Sequence, residues 1–238
     1  MKKISLYEYP RTPLLNYKPN IQEGDIISEY HESEIVLNNP NLYIEEKVDG
    51  ANCAIMMDYE GNPIIRNRQN ILRKGYVEKE TPAKLQFRPI WNWFYDNKEM
   101  FQKLNEEFGE PVGVYGEWTL ALHSIEYDKL DSYFIGFDIW LPSKQYFIKT
   151  SETRTILNNI GFSIPNIIHI GEINAFDELD IMVDSNSSFS SKDKIEGLYL
   201  KACDDDKVAH RFKFLRPGYV QGDKWNKEKL IKQKLKRI

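Results

Sequence analysis

Short apolar runs that carry or border charged residues recur between positions 43 and 214 of this 238-residue chain and constrain its fold more than any other feature. Several of them alternate between apolar and polar residues, and this period of two is typical of strands with one buried face. Only a few of the intervening segments have the spacing of a helix. We therefore predict an α+β domain with antiparallel sheets, rather than a doubly wound parallel fold.

One of these runs carries a lysine at a position suited to chemistry. It follows a predicted strand at residues 42–44 and reads Glu45-Glu46-Lys47-Val48-Asp49-Gly50-Ala51-Asn52. A lysine held at the mouth of a pocket can be partly desolvated or set beside other cations, which favours the neutral, nucleophilic amine. Such an amine can attack a phosphorus or a carbonyl. The alternative interpretation is a surface hairpin with Asp49-Gly50 at its turn, and this run alone does not separate the two.

Periodicity and turn residues give an outline of the other elements. We predict a hairpin over residues 42–68 with turns at 49–50 and 60–63, a helical region over 87–108, strands over 112–122 and 132–141, and a helix over Ser151–Asn159 with Ser151 as N-cap and Gly161 after its end. The stretch from Ala175 to Lys194 is acidic and then serine-rich. A solvated, mobile loop is therefore expected there.

Charge is distributed unevenly along the chain. The formal net charge is −4, but residues 224–238 carry seven basic residues and one acidic residue, which leaves −10 on residues 1–223. Ile231, Leu235 and Ile238 recur at helical spacing in the basic part. We therefore predict one domain over residues 1–223, and a C-terminal amphipathic helix or tail packed on it. Its lysines either meet a phosphate backbone or simply solubilise the terminus.

Composition argues against several classes of protein. No stretch approaches the roughly 18 to 20 consecutive apolar residues that cross a bilayer, and residues 1–8 lack the apolar region of a secretory signal. A cytoplasmic location without a membrane partner is expected. Two cysteines, Cys53 and Cys203, argue against a disulfide framework, and the histidines show no zinc-ligand spacing with them. No Gly-x-Gly-x-x-Gly or Walker-type loop is present, so side chains must hold any bound nucleotide.

A series of motifs in a fixed order is more specific than any one of them. It comprises the lysine run at 45–52, Arg66-Asn67-Arg68, Val114-Tyr115-Gly116-Glu117-Trp118, Phe134-Ile135-Gly136-Phe137-Asp138-Ile139, Glu196-Gly197-Leu198-Tyr199-Leu200-Lys201 and Arg211-Phe212-Lys213-Phe214. The series resembles the motifs of the covalent nucleotidyltransferases, which comprise ATP-dependent DNA ligases, RNA ligases and mRNA capping enzymes. Within that superfamily the chain resembles the nick-sealing RNA ligase branch most, because it has asparagine at position 52, where DNA ligases and capping enzymes usually carry arginine. Residues 9–13 and 213–219 look similar to bacterial and phage RNA-ligase-like proteins.

The resemblance implies a fold and a covalent mechanism. The implied fold is a nucleotidyltransferase domain of two packed antiparallel sheets with flanking helices, and the nucleotide lies in the groove between them. Only 25 residues follow Lys213, so no OB domain is expected. Lys47 would attack the α-phosphate of ATP, expel pyrophosphate and hold AMP as a phosphoramidate.

The resemblance also implies roles for residues of the other motifs. Catalytic roles fall to Lys47, Glu117, Glu196, Arg211 and Lys213, and cofactor-binding roles to Glu46, Asp49, Asn52, Arg68, Phe137 and Lys201. Phe137 would stack on adenine, while Glu117 and Glu196 would hold hydrated Mg²⁺ or Mn²⁺. Arg211 and Lys213 would bracket the α-phosphate. Arg66 competes with Arg68 for its position, and the family more often has lysine where Arg211 stands.

The implied activity is that of an ATP-dependent RNA ligase. It joins a 3′-OH to a 5′-phosphate in RNA or in a nicked duplex, and a kinase or phosphatase that prepares the ends is an expected partner. Three alternatives remain open from the sequence. These are a ligase for DNA or hybrid nicks, a nucleotide- or RNA-binding module that has lost the chemistry, and a GTP-using capping activity.

Overall fold

The computed structural model describes residues 5–75 and 81–236, and these form six α-helices and nine β-strands. The helices are α1 (Tyr30–Leu37), α2 (Pro82–Leu85), α3 (Ile90–Asp96), α4 (Lys98–Phe108), α5 (Thr150–Ile160) and α6 (Glu178–Met182). The strands are β1 (Leu42–Lys47), β2 (Ala51–Met57), β3 (Pro63–Asn67), β4 (Gly113–Trp118), β5 (Phe134–Leu141), β6 (Tyr146–Phe147), β7 (Ile167–Ile170), β8 (Gly197–Cys203) and β9 (Val208–Leu215). None of the helices in these residues is long and apolar enough to cross a membrane.

The strands assemble into two antiparallel sheets. Sheet A has the strand order β7-β1-β8-β9, and sheet B has the order β3-β2-β4-β5-β6. One face of sheet A packs on α1 and α6 through a core that includes Val36, Leu42 and Leu179. One face of sheet B packs on α3, α4 and α5 through a core that includes Ile55 and Phe101. The predicted α+β class, with two antiparallel sheets and flanking helices, is confirmed.

The segment after Lys47 connects the two sheets instead of forming a hairpin turn. β1 pairs with β7 and β8 in sheet A, whereas β2 pairs with β3 and β4 in sheet B. Asp49 fixes the crossing, because its Oδ2 accepts the backbone N–H groups of Ser124 and Ile125 at 2.6 and 2.8 Å. A Cβ at Gly50 would lie 2.9 Å from the Trp118 carbonyl oxygen, so only glycine fits there. The predicted turn at 49–50 is therefore wrong, while the predicted β2–β3 hairpin is confirmed.

Most other predicted elements are present with shifted ends. β4 and β5 lie within the predicted strand regions, and the predicted helical region divides into α3 and α4, which bury Phe94 and Phe101. The prediction that Ser151 caps α5 is wrong, because the helix already begins at Thr150 after an extended Lys149. Gly161 ends α5 as predicted, with φ of 104° in the left-handed region that glycine adopts without steric cost.

The segment over 175–194 is packed and not a solvated loop. It contains α6, and Ser187 and Phe189 are buried. The backbone carbonyl of Phe189 accepts N–H groups from Asp128 and Lys129 at 3.1 and 3.0 Å. The prediction failed because serine-rich composition also suits a segment whose hydroxyl groups find partners within the protein.

The C-terminal segment is irregular, and the predicted amphipathic helix is wrong. Residues 224–236 contain no helix, and Ile231 and Leu235 are each 41% exposed. Ile238 lies outside the described residues. Backbone groups of the segment pair with a neighbouring loop instead of with each other, as the bond from Gln233 N–H to the Leu120 carbonyl at 2.8 Å illustrates. The segment is thus a tail packed on the domain.

Candidate active site

A cavity of about 530 Å³ lies in the groove between the two sheets. Its wall combines strands of both sheets with residues 9–12 and 23–26, which lie outside the strands. The cavity volume is in the range of small-molecule sites, roughly 300 to 1,000 Å³. Most side chains that the motif resemblance assigns to the site line this cavity, namely Glu46, Lys47, Asp49, Asn52, Arg68, Glu117, Phe137, Glu196 and Lys213.

Lys47 ends β1 and forms an ion pair inside the cavity. It lies opposite Gly197 in the β1–β8 ladder, and its Nζ donates to Glu196 Oε1 at 2.6 Å. Burial by itself would lower the pKa of Lys47, but the Glu196 and Glu117 carboxylates outweigh it and raise the pKa above its ordinary value. The expectation of a lysine made neutral by desolvation or by neighbouring cations is therefore wrong for this arrangement.

Two carboxyl groups, those of buried Glu196 and half-buried Glu117, lie near Lys47 and have raised pKa values. Burial raises the pKa of Glu117 to about 8, and Glu196 and Asp49 add to this while Lys47 opposes it. Burial also raises the pKa of Glu196 to about 7, again against the effect of Lys47. Below about pH 8 Glu117 therefore tends to keep its proton, and a cation that enters the cavity would favour release of that proton.

We expect Glu117 to make stability fall as the pH rises. Its folded pKa of about 8 exceeds the ordinary value of about 4.3, so the folded state holds a proton that the unfolded state releases. The resulting stabilisation is complete below the unfolded pKa and is lost as the pH rises through the folded one. In EDTA, the Tm of the wild type should therefore fall by several degrees more than that of Glu117→Gln between about pH 5.5 and about pH 8.5. Parallel Tm profiles would contradict the assigned protonation.

The two carboxyl groups suit a divalent cation that is also held by substrate. Among residues 5–75 and 81–236, no cluster of three or more His, Cys, Asp or Glu side chains is arranged to hold a metal ion by itself. Mg²⁺ is commonly bound through one or two carboxylates, several waters and substrate phosphates. Glu117 and Glu196, both in the cavity wall with raised pKa values, fit that set of donors.

Lys213 on β9 is held by an acidic residue from the N-terminal region. Its Nζ donates to Asp25 Oδ1, and both residues line the cavity. Burial lowers the pKa of Lys213 even though Asp25 opposes the shift. A phosphate that enters the cavity would have to compete with Asp25 for this lysine.

We expect Asp25→Asn to tighten binding of nucleotide phosphates. Removal of the carboxylate frees Lys213 for a phosphate oxygen, and hydrogen bonds to charged groups contribute about 1.5 to 3 kcal/mol. The apparent Kd for ATP, measured by calorimetry with a Lys47→Ala background to prevent turnover, should fall by about tenfold or more. Glu23→Gln is the control, because Glu23 lines the same cavity without an ion pair to the described residues. Equal effects of the two substitutions would show only a general charge effect.

The structure separates the two arginines that compete at the third motif position. Arg66 is buried on β3, and its guanidinium donates to the backbone carbonyls of Asn67 and Leu6 at 3.2 and 3.1 Å. Arg68 is exposed at the cavity rim and lowers the pKa of Glu117. Arg68 is thus the arginine positioned to reach a ligand.

Two assigned residues belong to a buried ionic cluster beside the cavity. Lys201 is fully buried, and its Nζ lies 2.7 Å from Glu45 Oε2 and 3.0 Å from Asp138 Oδ1. Arg211 donates to Asp138 Oδ2 at 3.2 Å. Neither Lys201 nor Arg211 is among the described residues that line the cavity. The cofactor-binding role of Lys201 and the α-phosphate role of Arg211 stay predictions, and the structure shows that both charges are already paired between β1, β5, β8 and β9.

Two further assigned residues have their side chains engaged within the protein. Glu46 accepts the hydroxyl groups of Ser187 and Ser188, each at 2.5 Å. Asp49, besides its bonds to the 124–125 backbone, accepts the hydroxyl of Tyr219 at 3.2 Å. Both line the cavity, and the observed contacts of their carboxylates hold the surrounding segments in place.

The cavity wall also includes residues to which the motifs assign no role, among them Tyr199 and Asp25. Tyr199 lies with its ring centroid 6.0 Å from that of Phe137, and its hydroxyl is 2.9 Å from Thr12 Oγ1. Strand alternation offers a signal for it, because Tyr199 and Leu198 must face opposite sides of sheet A. Asp25 has no such signal, since 188 positions separate it from Lys213.

Solved RNA ligase structures from Naegleria gruberi share this fold. A mutant of that ligase with ATP and Mn matches with a TM-score of 0.58 at 21% identity, over 76% of this chain and 51% of that chain. The same ligase with PPi matches with a TM-score of 0.58 at 20% identity, over 78% of this chain and 52% of that chain. A mutant with AMP and Mn matches with a TM-score of 0.56 at 20% identity, over 76% of this chain and 52% of that chain. The chain thus spans about half the length of these relatives, and the likeness establishes the fold.

Sequence comparison gives the family. No curated protein matches the chain. The profile described as RNA ligase matches residues 40–215, a range that includes Lys47, Glu117, Glu196 and Lys213. Because this match extends over more than half of the sequence, the chain belongs to the RNA ligase family.

Proposed function

We propose that the chain is an ATP-dependent RNA ligase that activates 5′-phosphate ends through AMP bound covalently to Lys47. One observation carries the proposal: Lys47 Nζ lies 2.6 Å from Glu196 Oε1 inside a groove that also contains Glu117 and Lys213. This groups a nucleophile, a proton acceptor and a cation for phosphate in one cavity. The relatives with ATP, AMP and Mn support the same ligands here.

In the first step, Lys47 Nζ attacks the α-phosphorus of ATP. The N–P bond forms, the P–O bond to pyrophosphate breaks, and pyrophosphate leaves with the bonding electrons. The amine must lose its proton to attack, yet the carboxylates raise its pKa. We assign Glu196 Oε1 as the acceptor, because it already accepts a hydrogen bond from Nζ at 2.6 Å and burial raises its pKa to about 7. A covalent intermediate stores the activation until an end arrives.

Later steps use the same groove. A 5′-phosphate oxygen attacks the phosphorus of the adduct, which breaks the N–P bond and returns the amine to Lys47. A 3′-OH then attacks the activated 5′-phosphorus, the phosphodiester bond forms and AMP leaves. Lys213 and Arg68, both in the cavity wall, neutralise phosphate charge, and Phe137 stacks on adenine. Glu117 and Glu196 would hold a divalent cation, which would supply further neutralisation of phosphate charge.

The expected substrate is a nicked duplex with RNA on the 3′-OH side. A-form shape and 2′-hydroxyl groups distinguish RNA at a strand end without sequence reading. Ends in the wrong phosphorylation state would need a kinase or phosphatase beforehand, which fits a role in RNA repair.

A sealing panel tests the proposal. Nicked duplexes with RNA or DNA on each side are incubated with the protein, Mg²⁺ and either ATP or GTP. We expect ATP-dependent sealing that is fastest with RNA at the 3′-OH. Preference for DNA ends would favour the hybrid-nick alternative, and use of GTP would favour a capping activity. Binding of duplex without any adduct from labelled ATP would leave only a binding module.

A further inference from the structure

The basic segment, residues 224–236, is fixed against the domain by main-chain hydrogen bonds. The N–H of Gln233 donates to the Leu120 carbonyl, and that of Lys236 donates to the Leu130 carbonyl, both at 2.8 Å. A chain held in this way has already lost much of the conformational entropy that a disordered tail would lose on binding. Its side chains are thus presented from a defined backbone.

One buried side chain links the basic segment to the candidate active site. Gln233 is 4% exposed, and its amide donates to the Ile125 carbonyl at 2.6 Å. The N–H of Ile125 donates in turn to Asp49 Oδ2 at 2.8 Å. Asp49 lies two positions after Lys47. The segment therefore runs beside the loop that positions the nucleophile.

Four lysines of the basic segment are available to an anionic partner. Lys224 is paired with Asp193, and Lys236 is paired with Asp131. The remaining lysines are exposed and make no ion pair with the residues that the structure describes; they are Lys227, Lys229, Lys232 and Lys234. Residues 1–223 carry a net charge of −10, so this concentration of unpaired positive charge is local.

We propose that the basic segment binds the phosphate backbone of the polynucleotide whose end enters the groove. This inference rests on the proposed function, because that function brings a polynucleotide end to the cavity. The segment follows shortly after the cavity rim, where Gln221 lines the wall and the next residue, Gly222, donates its N–H to Ser124 Oγ at 2.7 Å. Neutralisation of phosphates by exposed lysines is the dominant, sequence-independent term in nucleic-acid binding. A strand that leaves the groove on this side meets the four unpaired lysines.

Binding of a fluorescent nicked duplex, as a function of salt, tests this surface. The test variant is Lys227→Gln, Lys229→Gln, Lys232→Gln and Lys234→Gln combined. The control combines Lys84→Gln, Lys103→Gln, Lys144→Gln and Lys207→Gln, which are exposed lysines outside the basic segment and the cavity wall with the same change in net charge. We expect the test variant to bind the duplex at least tenfold more weakly at low salt. The slope of log K against log salt should also become shallower by up to about 3, because each lost phosphate contact reduces its magnitude by about 0.7 to 0.9. The control should stay within about threefold of the wild type.

Two further measurements test whether the lysines of the basic segment contact the duplex directly. A variant with arginine at all four positions keeps the charge and should retain the affinity, and duplex should protect the four lysines of the wild type from acylation. Equal binding by test and control variants, or no protection, would overturn the proposal. Selective binding of phosphatidylserine vesicles instead of duplex would also overturn it and identify an anionic membrane as the partner.

Failure of this surface is distinguishable from failure of the proposed function. Adduct formation from labelled ATP is measured for each protein without polynucleotide. If the test variant forms the adduct and binds duplex as the wild type does, the ligase proposal stands and the proposal that the basic segment binds polynucleotide is refuted. If duplex binding depends on the four lysines but no adduct forms, the ligase proposal is refuted and the proposed binding surface stands.

Discussion

Lys47→Arg is expected to abolish the covalent AMP adduct and to reduce sealing by a factor on the order of 10⁴ or more, as loss of a catalytic nucleophile does. Arginine keeps the positive charge opposite Glu196, where the lysine now donates at 2.6 Å. The guanidinium remains protonated, however, and cannot act as a nucleophile. The substitution therefore removes the chemistry while it preserves the electrostatic balance of the cavity. Labelled ATP followed by denaturing gel electrophoresis measures the adduct.

A pre-activated substrate separates lost chemistry from lost folding. If Lys47 only carries AMP, the arginine variant should still seal a nick whose 5′-phosphate is already adenylylated, at a rate within about tenfold of the wild type. Lys84→Arg, on the exposed part of α2, is the control for lysine replacement. An adduct on the arginine variant would show that a different residue is the nucleophile.

Lys201→Met is expected to destabilise the protein by about 3 to 5 kcal/mol, as removal of one partner from a buried ion pair does. Lys201 is fully buried, and Asp138 and Glu45 raise its pKa despite burial. The two nearest oxygens, Glu45 Oε2 and Asp138 Oδ1, have no hydrogen-bond partner among the described residues and are compensated by the charge of Lys201 at 2.7 and 3.0 Å. Methionine would fill the space but leave both carboxylates without this cation.

Urea unfolding measures this destabilisation, and a nearby lysine provides the control. Lys207 is exposed in the turn between β8 and β9, so Lys207→Met should change the free energy of unfolding by no more than about 0.5 kcal/mol. A loss below about 1 kcal/mol for Lys201→Met would contradict the structural role given to the cluster. The cluster joins β1 and β8 of sheet A to β5 of sheet B, so its loss should also loosen the groove.

Strand existence was predictable from the sequence, whereas strand partners were not. The short apolar, β-prone runs Val114–Trp118 and Phe134–Ile139 indicate β4 and β5 directly. The run around Lys47 predicts a strand, a tight connection and a second strand, and the same pattern suits a hairpin or a crossing between sheets. Asp49 decides for the crossing through its bonds to Ser124 and Ile125, which lie more than 70 positions away.

The same limit applies to the contacts within the candidate site. Alternation on β9 places Arg211 and Lys213 on one face, and it does not reveal that Asp138 pairs with Arg211 while Asp25 pairs with Lys213. The order of the motifs was sufficient to predict that Lys47, Glu117 and Glu196 lie in one cavity. The tail was misjudged because helical spacing of apolar residues ignores the backbone partners that a neighbouring loop offers.

Peptide mapping by mass spectrometry after incubation with ATP and Mg²⁺ tests the central claim most directly. The account predicts a single acid-labile AMP group on the Nζ of Lys47, formed with release of pyrophosphate. The absence of an adduct, or AMP on another side chain, would contradict it.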